Sequence, residues 1–171
     1  MGARLCLGHM DTGNYDAETV RFFDVAHEGA QIRLVAGEVE RWGEALSGLN
    51  PRSLVIIPTD AIARQAAHLG VGLAEPLRIP IVVTESLPRY VGALDLVVVV
   101  GEPSECDWAS SALITASQRG ATTLLIGPAK GPLVEDCPED TLVAPCLPTA
   151  EGSSPARSIA CLLYTSDAAD E

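Results

Sequence analysis

Apolar blocks alternate along the chain with segments that have the periodicity of helices. Val97 to Val100 are consecutive valines, which is typical of a strand buried on both faces of a parallel sheet. The predicted strands cover residues 54–57, 81–84, 96–100, 124–126 and 141–144. Because strands that alternate with helices form parallel sheets through right-handed crossovers, the pattern predicts an α/β fold. We expect a three-layer sandwich with a mainly parallel sheet.

The helices between these strands are predicted from periodicity and from end signals. Asp60 is placed to cap a helix over 61–73 by accepting a hydrogen bond from a first-turn amide. A crossover helix over 110–119 is expected to end at Gly120, in the manner of a glycine just past a helix. These signals divide the central part of the chain into strand–loop–helix units.

Two further segments are predicted to contain helix near the end of the chain. Residues 128–136 have room for a short helix only. Residues 153–160 begin another helix, and Pro155 is well tolerated near its first turn.

The first part of the chain has a helical pattern. Residues 15–28 place Val20, Phe23 and Val25 near one side of an amphipathic helix, and we expect Gly29 to end it. Apolar side chains on one side of a helix predict that this side is buried.

The next segment, residues 31–46, is ambiguous. Its IRLV stretch favours a strand, whereas VERWGEAL favours a helix with Val39, Trp42 and Leu46 on one face. We favour helix for most of it.

Charge and hydropathy exclude some classes of partner. The formal net charge is −12, and a protein that binds a nucleic-acid backbone needs a basic patch, so we predict no nucleic-acid partner. The acidic residues are dispersed, which indicates solubility rather than a defined acidic surface.

No apolar run reaches the ~18 residues of a membrane span, and the first residues do not form a convincing signal peptide. We therefore predict a cytoplasmic protein without a membrane partner.

The cysteines and histidines carry little recognisable chemistry. The chain has five scattered cysteines, at positions 6, 106, 137, 146 and 161, without a CxxC pair. Their odd number argues against a disulfide framework and favours buried or reduced thiols. Cys106 lies near a predicted helix start, but neighbouring acids and the lack of a nearby histidine favour an ordinary thiol. The histidines, at positions 9, 27 and 68, show no metal-ligand spacing with each other or with the cysteines, so a zinc site is not predicted.

Two loops that leave predicted strands and enter helices are candidate ligand sites. Residues 58–60 and 101–108 lie where open α/β sheets bind ligands, and helix amino termini attract anions. The first loop offers Thr59, followed at once by Asp60. No Gly-x-Gly-x-x-Gly or P-loop motif accompanies them, so a nucleotide site is not predicted.

The second loop has the composition of a poor phosphate cradle. Gly101 and Ser104 suit an anion, but Glu102, Glu105 and Asp107 repel one unless other charges compensate. Helix capping by Ser104 or Asp107 is the alternative role.

Arg157 is the remaining candidate. It follows Pro155 on the last predicted helix, where it could meet an anion, although a surface arginine is the simpler interpretation.

The final residues, 161–171 (CLLYTSDAADE), match the translation of a transposase-type sequencing adaptor. We predict that they form a non-native tail, that the natural part of the sequence stops near Ala160, and that the chain is an amino-terminal piece of a longer protein. On this interpretation, an apolar surface near the last helix should make the piece associate.

The block from Thr84 to Leu133, with LPRYVGALDLVVVV and QRGATTLLIGPAKGPL, resembles the first sugar isomerase (SIS) domain of bifunctional phosphoglucose/phosphomannose isomerase-like proteins. The similarity is to their divergent actinobacterial branch, often labelled TobH-like or mannose-6-phosphate isomerase-like. NPRSLVIIPTDAIA and SSPARSIACLL extend the resemblance. It covers about residues 17–160, after a lead of residues 1–16.

The resemblance implies a Rossmann-like SIS-type sandwich that pairs as a homodimer and binds a phosphorylated carbohydrate without a cofactor. It implies aldose–ketose isomerisation of hexose 6-phosphates through an enediol, with a carboxylate as base. The substrate-binding positions that it implies are Thr59, Asp60, Gly101, Ser104 and Arg157.

The chain also departs from active members of that family. Active members have a loop rich in glycine and containing serine where this chain has residues 58–61. Residues 101–108 keep only one hydroxyl side chain, Ser104. The family's glutamate base and ring-opening histidine belong to a later part of the protein, so no catalytic residue is assigned here. A non-catalytic sugar-phosphate-binding or regulatory module is therefore the alternative, and a purely structural half of a larger protein is a third interpretation.

Overall fold

The computed structural model describes residues 17–46, 48–102, 107–147 and 153–168. Its elements are α1 (Ala17–Leu46), β1 (Ser53–Pro58), α2 (Ala61–Leu73), β2 (Ile81–Val83), β3 (Asp95–Val100), α3 (Asp107–Gln118), β4 (Thr122–Ile126), α4 (Pro132–Glu135), β5 (Leu142–Val143) and α5 (Pro155–Ala168).

The strands form one parallel sheet in the order β2-β1-β3-β4-β5. Val97 of β3 pairs with Val55 of β1 and with Thr123 of β4, so β3 lies at the centre of the sheet. On one side of β1 lies β2, and on its other side lie β3, β4 and β5 in that order. The strand order therefore reverses between β1 and β3, the position at which doubly wound sheets bind ligands.

Both faces of the sheet are covered, which confirms the predicted α/β sandwich. Val98 and Val100 belong to a core with side chains of α1, α2 and α5. Val97 and Val99 face the opposite core, with side chains of α3 and α4. Successive strand residues point to opposite faces, so a strand that is covered on both faces has to be apolar throughout.

The predicted helix ends around the central strands are confirmed. The Asp60 carboxylate caps α2 by accepting a hydrogen bond from the Ala63 amide at 2.8 Å. Gly120 has φ of +80°, and the following Ala121 amide donates to the Ala116 carbonyl at 3.1 Å. This six-residue closure is a Schellman motif, and its left-handed position favours glycine.

The prediction for the start of the chain is wrong in two respects. The helix α1 continues through Gly29 to Leu46, because glycine ends a helix only when it leaves the helical conformation. Phe23 and Val25, expected on a buried side, are 65% and 73% exposed. Burial begins further along α1, with Gln31, Val35 and Leu46, where the helix packs on α5.

Other parts of that prediction are confirmed or lie outside the described residues. Residues 31–46 are helical, as favoured, and Leu46 is buried. The side chains of Val20, Val39 and Trp42 lie outside the described part, as do residues 15 and 16.

The last helix begins as predicted, with Pro155 in its first turn, and continues to Ala168. Cys161 and Leu162 are 0% and 3% exposed and belong to the core on the α2 side of the sheet. The adaptor origin of residues 161–171 stays a prediction. In this fold, residues 161–168 form the second half of α5.

Among the described helices, none combines the length and apolarity that crossing a bilayer requires.

A buried carboxylate at the start of β3 makes stability depend on pH. Asp95 accepts hydrogen bonds from Ser53 Oγ at 2.7 Å, from Arg52 Nη2 at 2.6 Å and from the Gly92 amide at 2.9 Å. Burial alone would raise the pKa of Asp95, but these hydrogen bonds and the charge of Arg52 outweigh it and hold the pKa below its usual value of 3.8.

We expect Asp95→Asn to lower the free energy of unfolding by roughly 1–3 kcal/mol at pH 7, because charge-assisted hydrogen bonds are lost. The folded pKa lies below the unfolded one, so the contribution is fully present above about pH 5 and is lost as the pH falls through the folded value. Urea titrations of both proteins at pH 7 and at lower pH should show the difference shrinking in acid. A difference that does not change with pH would contradict this role.

Candidate functional site

A small cavity lies at the carboxyl edge of the sheet, beside the point where the strand order reverses. Its walls come from the ends of β3 and β4, from the segment after β5 and from the first turn of α5. The described residues leave a volume of about 10 Å³, room for about one water molecule. The residues that line the cavity include Gly101, Glu102, Gly127, Cys146, Ser153, Ser154 and Arg157.

Asp60 ties together three segments around this cavity. Besides capping α2, its carboxylate accepts hydrogen bonds from the Glu102 amide at 2.9 Å and from Ser153 Oγ at 2.8 Å. Burial alone would raise the pKa of Asp60, but these hydrogen bonds and those from the Ala63 and Ile62 amides lower it below the usual value. Asp60 is therefore a charged crosslink between the β1 loop, the β3 loop and the start of α5.

Gly101 allows the end of β3 to pass close to the β1 loop. Its φ is +118°, and a Cβ atom built there would lie 2.5 Å from Asp60 Oδ2 and 2.8 Å from Ala63 Cβ, and would also collide with Thr59 Oγ1. Neither the backbone conformation nor the space suits any other residue. The hydroxyl of Thr59 is buried and has no hydrogen-bond partner among the described residues.

Arg157 is buried at the cavity wall. It is only 5% exposed, so the interpretation as a surface arginine is wrong. One guanidinium nitrogen, Nη2, donates to the Gly127 carbonyl, whereas Nε is buried without a partner. Within the described ranges, its guanidinium forms no salt bridge with a carboxylate. The site therefore contains a buried positive charge with an unused N–H group.

The amino terminus of α5 already holds a carboxylate from α1. Ser154 Oγ accepts a hydrogen bond from the Arg157 amide at 3.2 Å and donates one to Glu28 Oε2 at 2.7 Å. The same Glu28 oxygen accepts a hydrogen bond from the Ala156 amide at 3.2 Å. A negative charge at this end of a helix is stabilised by the helix dipole and by the free first-turn amides.

The structure brings together most of the predicted site residues. Thr59, Asp60 and Gly101 are in one cluster, and Arg157 lies at the cavity that this cluster borders. Ser104 lies outside the described residues, together with Glu105 and Cys106.

Sequence reasoning missed three contributors to the site. Ser153 and Ser154 had a usable signal, because a serine before a proline is typical of a helix N-cap followed by its first turn. Glu28 had none, since it contacts a residue 126 positions further along the chain.

Thiol chemistry at this site is not supported by the described cysteines. Of the five cysteines, the structure describes Cys137, Cys146 and Cys161, and these three are free. Burial raises the pKa of Cys161 to about 12, and burial also raises that of Cys137, so both stay protonated at neutral pH. The described residues contain no group of three or more histidine, cysteine or acidic side chains arranged to hold a metal ion.

The fold matches solved structures of sugar isomerase domains. The sugar isomerase domain of the RpiR transcription factor from Sphaerobacter thermophilus aligns with a TM-score of 0.61 and 18% identity, over 90% of this chain and 89% of that one. A protein assigned as a phosphosugar isomerase, from Clostridium difficile 630, aligns with a TM-score of 0.62 and 13% identity. That alignment covers 85% of this chain but 44% of the other, so this chain spans under half of the Clostridium protein.

Identities this low show the fold alone. The chain has the α/β fold of these sugar isomerase domains, as the resemblance implied. No protein-family model matches the sequence, and no curated protein matches it either.

Proposed function

We propose that this chain is an SIS-type module that binds a phosphorylated carbohydrate at the carboxyl edge of the sheet, beside the cavity at the ends of β3 and β4. Arg157 is the observation that carries the proposal, because it is a buried cation with an unused N–H group at the cavity wall. A guanidinium in that state is stabilised by an anion, and its planar fork matches phosphate. The name of the Clostridium neighbour, a phosphosugar isomerase, supports a phosphorylated sugar as the ligand. The narrower class of hexose 6-phosphates rests on the resemblance alone.

The other predicted site residues have distinct roles in this proposal. Gly101 lets the end of β3 pass close to the β1 loop. Thr59, whose buried hydroxyl has no hydrogen-bond partner among the described residues, stays a proposed ligand contact. Asp60 positions the two loops, since both of its carboxylate oxygens are already hydrogen-bonded. Ser104 stays a proposed ligand contact.

Replacing Arg157 tests the proposal. The wild-type protein should gain thermal stability in millimolar fructose 6-phosphate or mannose 6-phosphate, because a ligand that binds only the folded state stabilises it. Arg157→Gln should weaken binding by roughly 10- to 100-fold, the loss expected for a charge-assisted hydrogen bond. Calorimetric titration of each variant measures the affinity.

Arg89→Gln is the matched control, because Arg89 is an exposed arginine in the connection between β2 and β3, and its loss removes the same charge. The unfolding midpoint of each variant without ligand identifies any loss of folding. A wild-type protein that shows no response to either sugar phosphate would overturn the proposal.

Isomerisation of the bound sugar is the second candidate. Glu102 lines the cavity, and proton transfer through an enediol uses a carboxylate base. Incubating the protein with fructose 6-phosphate and following aldose formation by NMR decides between the two functions. Binding without turnover supports a non-catalytic or regulatory module, a role related to that of the RpiR transcription factor.

We also propose that residues 17–160 are the natural SIS-like part of a longer actinobacterial protein, which forms a homodimer through its SIS domains. The exposed apolar side chains of α1, Phe22, Phe23 and Val25, support association. Light scattering of the purified protein tests this, and a monomer at high concentration would contradict it.

The cytoplasm is the compartment that we propose. The three described cysteines are free thiols, as in most proteins of reducing compartments.

A further inference from the structure

The amino terminus of α5 has its hydrogen-bond donors occupied from within the chain. The Ala156 amide and the Ser154 hydroxyl both donate to Glu28 Oε2, at 3.2 and 2.7 Å. In other proteins, first-turn amides and hydroxyls at helix amino termini bind phosphate when no group of the chain occupies them. The Glu28 carboxylate thus takes the place of an anion there.

A second, independent observation points to an external anion at the same place. Arg157, more than nine-tenths buried, lines the cavity together with Ser154, and its Nε has no partner. The Glu28 carboxylate occupies the helix terminus without forming a salt bridge with this guanidinium. The site therefore has one internal anion and one cation that is still free to bind another.

We propose that Glu28 is an internal competitor for the phosphate group of the ligand. The inference rests on the proposed function and concerns the regulation of that same site. A phosphate that reaches both Arg157 and the end of α5 meets the negative charge of Glu28, and like charges at hydrogen-bond distance repel. The phosphate can therefore contact both Arg157 and the amino terminus of α5 only after the Glu28 carboxylate has left that terminus.

Displacement of Glu28 affects how α1 is held. One turn further along the same helix, Gln31 is fully buried and accepts a hydrogen bond from the Leu147 amide at 3.3 Å. Glu28 and Gln31 are thus neighbouring contacts that hold α1 against the start of α5 and the segment after β5. Because linkage is reciprocal, a ligand that displaces Glu28 weakens the docking of α1, and a docked α1 weakens ligand binding.

Variants of Glu28 test the competition directly. Calorimetric titration with mannose 6-phosphate and with inorganic phosphate should give affinities roughly 5- to 100-fold higher for Glu28→Gln and Glu28→Ala than for the wild type. Asp24→Asn is the matched control, because Asp24 is an exposed acid one turn earlier on α1. It removes the same charge without touching α5 and should change the affinity by less than about twofold.

Hydrogen exchange of the wild-type protein provides a second test that does not depend on the folding of a variant. Amides around Glu28 in α1 should exchange faster when mannose 6-phosphate is bound, whereas most ligands slow exchange near their sites. Slower exchange there would overturn the competition, as would Glu28 variants that bind with wild-type affinity. In either case, loss of binding in Arg157→Gln would leave the proposed function standing. A wild-type protein that binds neither sugar phosphate would overturn the proposed function itself.

Discussion

A chain that ends at Ala160 is expected to lose at least about 4 kcal/mol of its free energy of unfolding, because its core then lacks Cys161 and Leu162. This is a large share of the ~5–15 kcal/mol that stabilises an ordinary domain. Leu162 also packs directly on α2, since a Cβ atom on Gly70 would lie 3.4 Å from Leu162 Cβ. Urea titration followed by circular dichroism measures the loss.

A chain that ends at Ala168 is the matched control, because it keeps all of α5. It should unfold at the same urea concentration as the whole chain. Leu162→Ala should cost roughly 2–5 kcal/mol without shortening the chain, and the half-buried Leu163 should tolerate the same change better.

The experiment also bears on the predicted adaptor origin of residues 161–171. If the chains ending at 160 and 168 were equally stable, the packing of Leu162 would be contradicted. That result would support the interpretation of residues 161–171 as a non-native tail.

Replacing Gly101 by alanine is expected to lower the free energy of unfolding by roughly 2–5 kcal/mol. A residue other than glycine at φ of +118° is strained, and its Cβ atom would press on Asp60 and Ala63. Because Asp60 crosslinks the loops around the cavity, Gly101→Ala should also weaken sugar-phosphate binding. Thermal unfolding and calorimetric titration measure the two effects.

Gly72→Ala is the control with the opposite expected sign. Gly72 lies inside α2 with nothing within 4 Å of an added Cβ atom, and alanine is the better helix former by about 1 kcal/mol. A Gly101→Ala protein as stable as the wild type would mean that the end of β3 does not pass the β1 loop as closely as the structure places it.

The strands, the sandwich and several helix ends could be predicted from the sequence because their causes are local. The valines of β3 indicate burial on both faces, Asp60 caps the helix that follows it, and Gly120 takes a left-handed conformation that most residues avoid. The sequence also placed both candidate loops at carboxyl ends of strands, but only the strand order shows that Thr59, Asp60 and Gly101 meet there.

The path of α1 and the surroundings of Arg157 could not be predicted in the same way. Gly29 has the sequence of a helix end, yet packing on α5 keeps the helix continuous, because tertiary burial outweighs the small helix propensity difference of one glycine. Arg157 is a surface residue by composition alone, and only the packing of α5 against the sheet edge buries it.

The sequence by itself determined which segments form strands and where several helices begin and end, because these depend on residues a few positions apart. Only the tertiary structure decided which charges meet at the crevice. Glu28 reaches the start of α5, and Asp60 reaches Ser153, across 126 and 93 positions of the chain. Such contacts leave no local pattern, since their energy comes from burial and charge in the assembled fold.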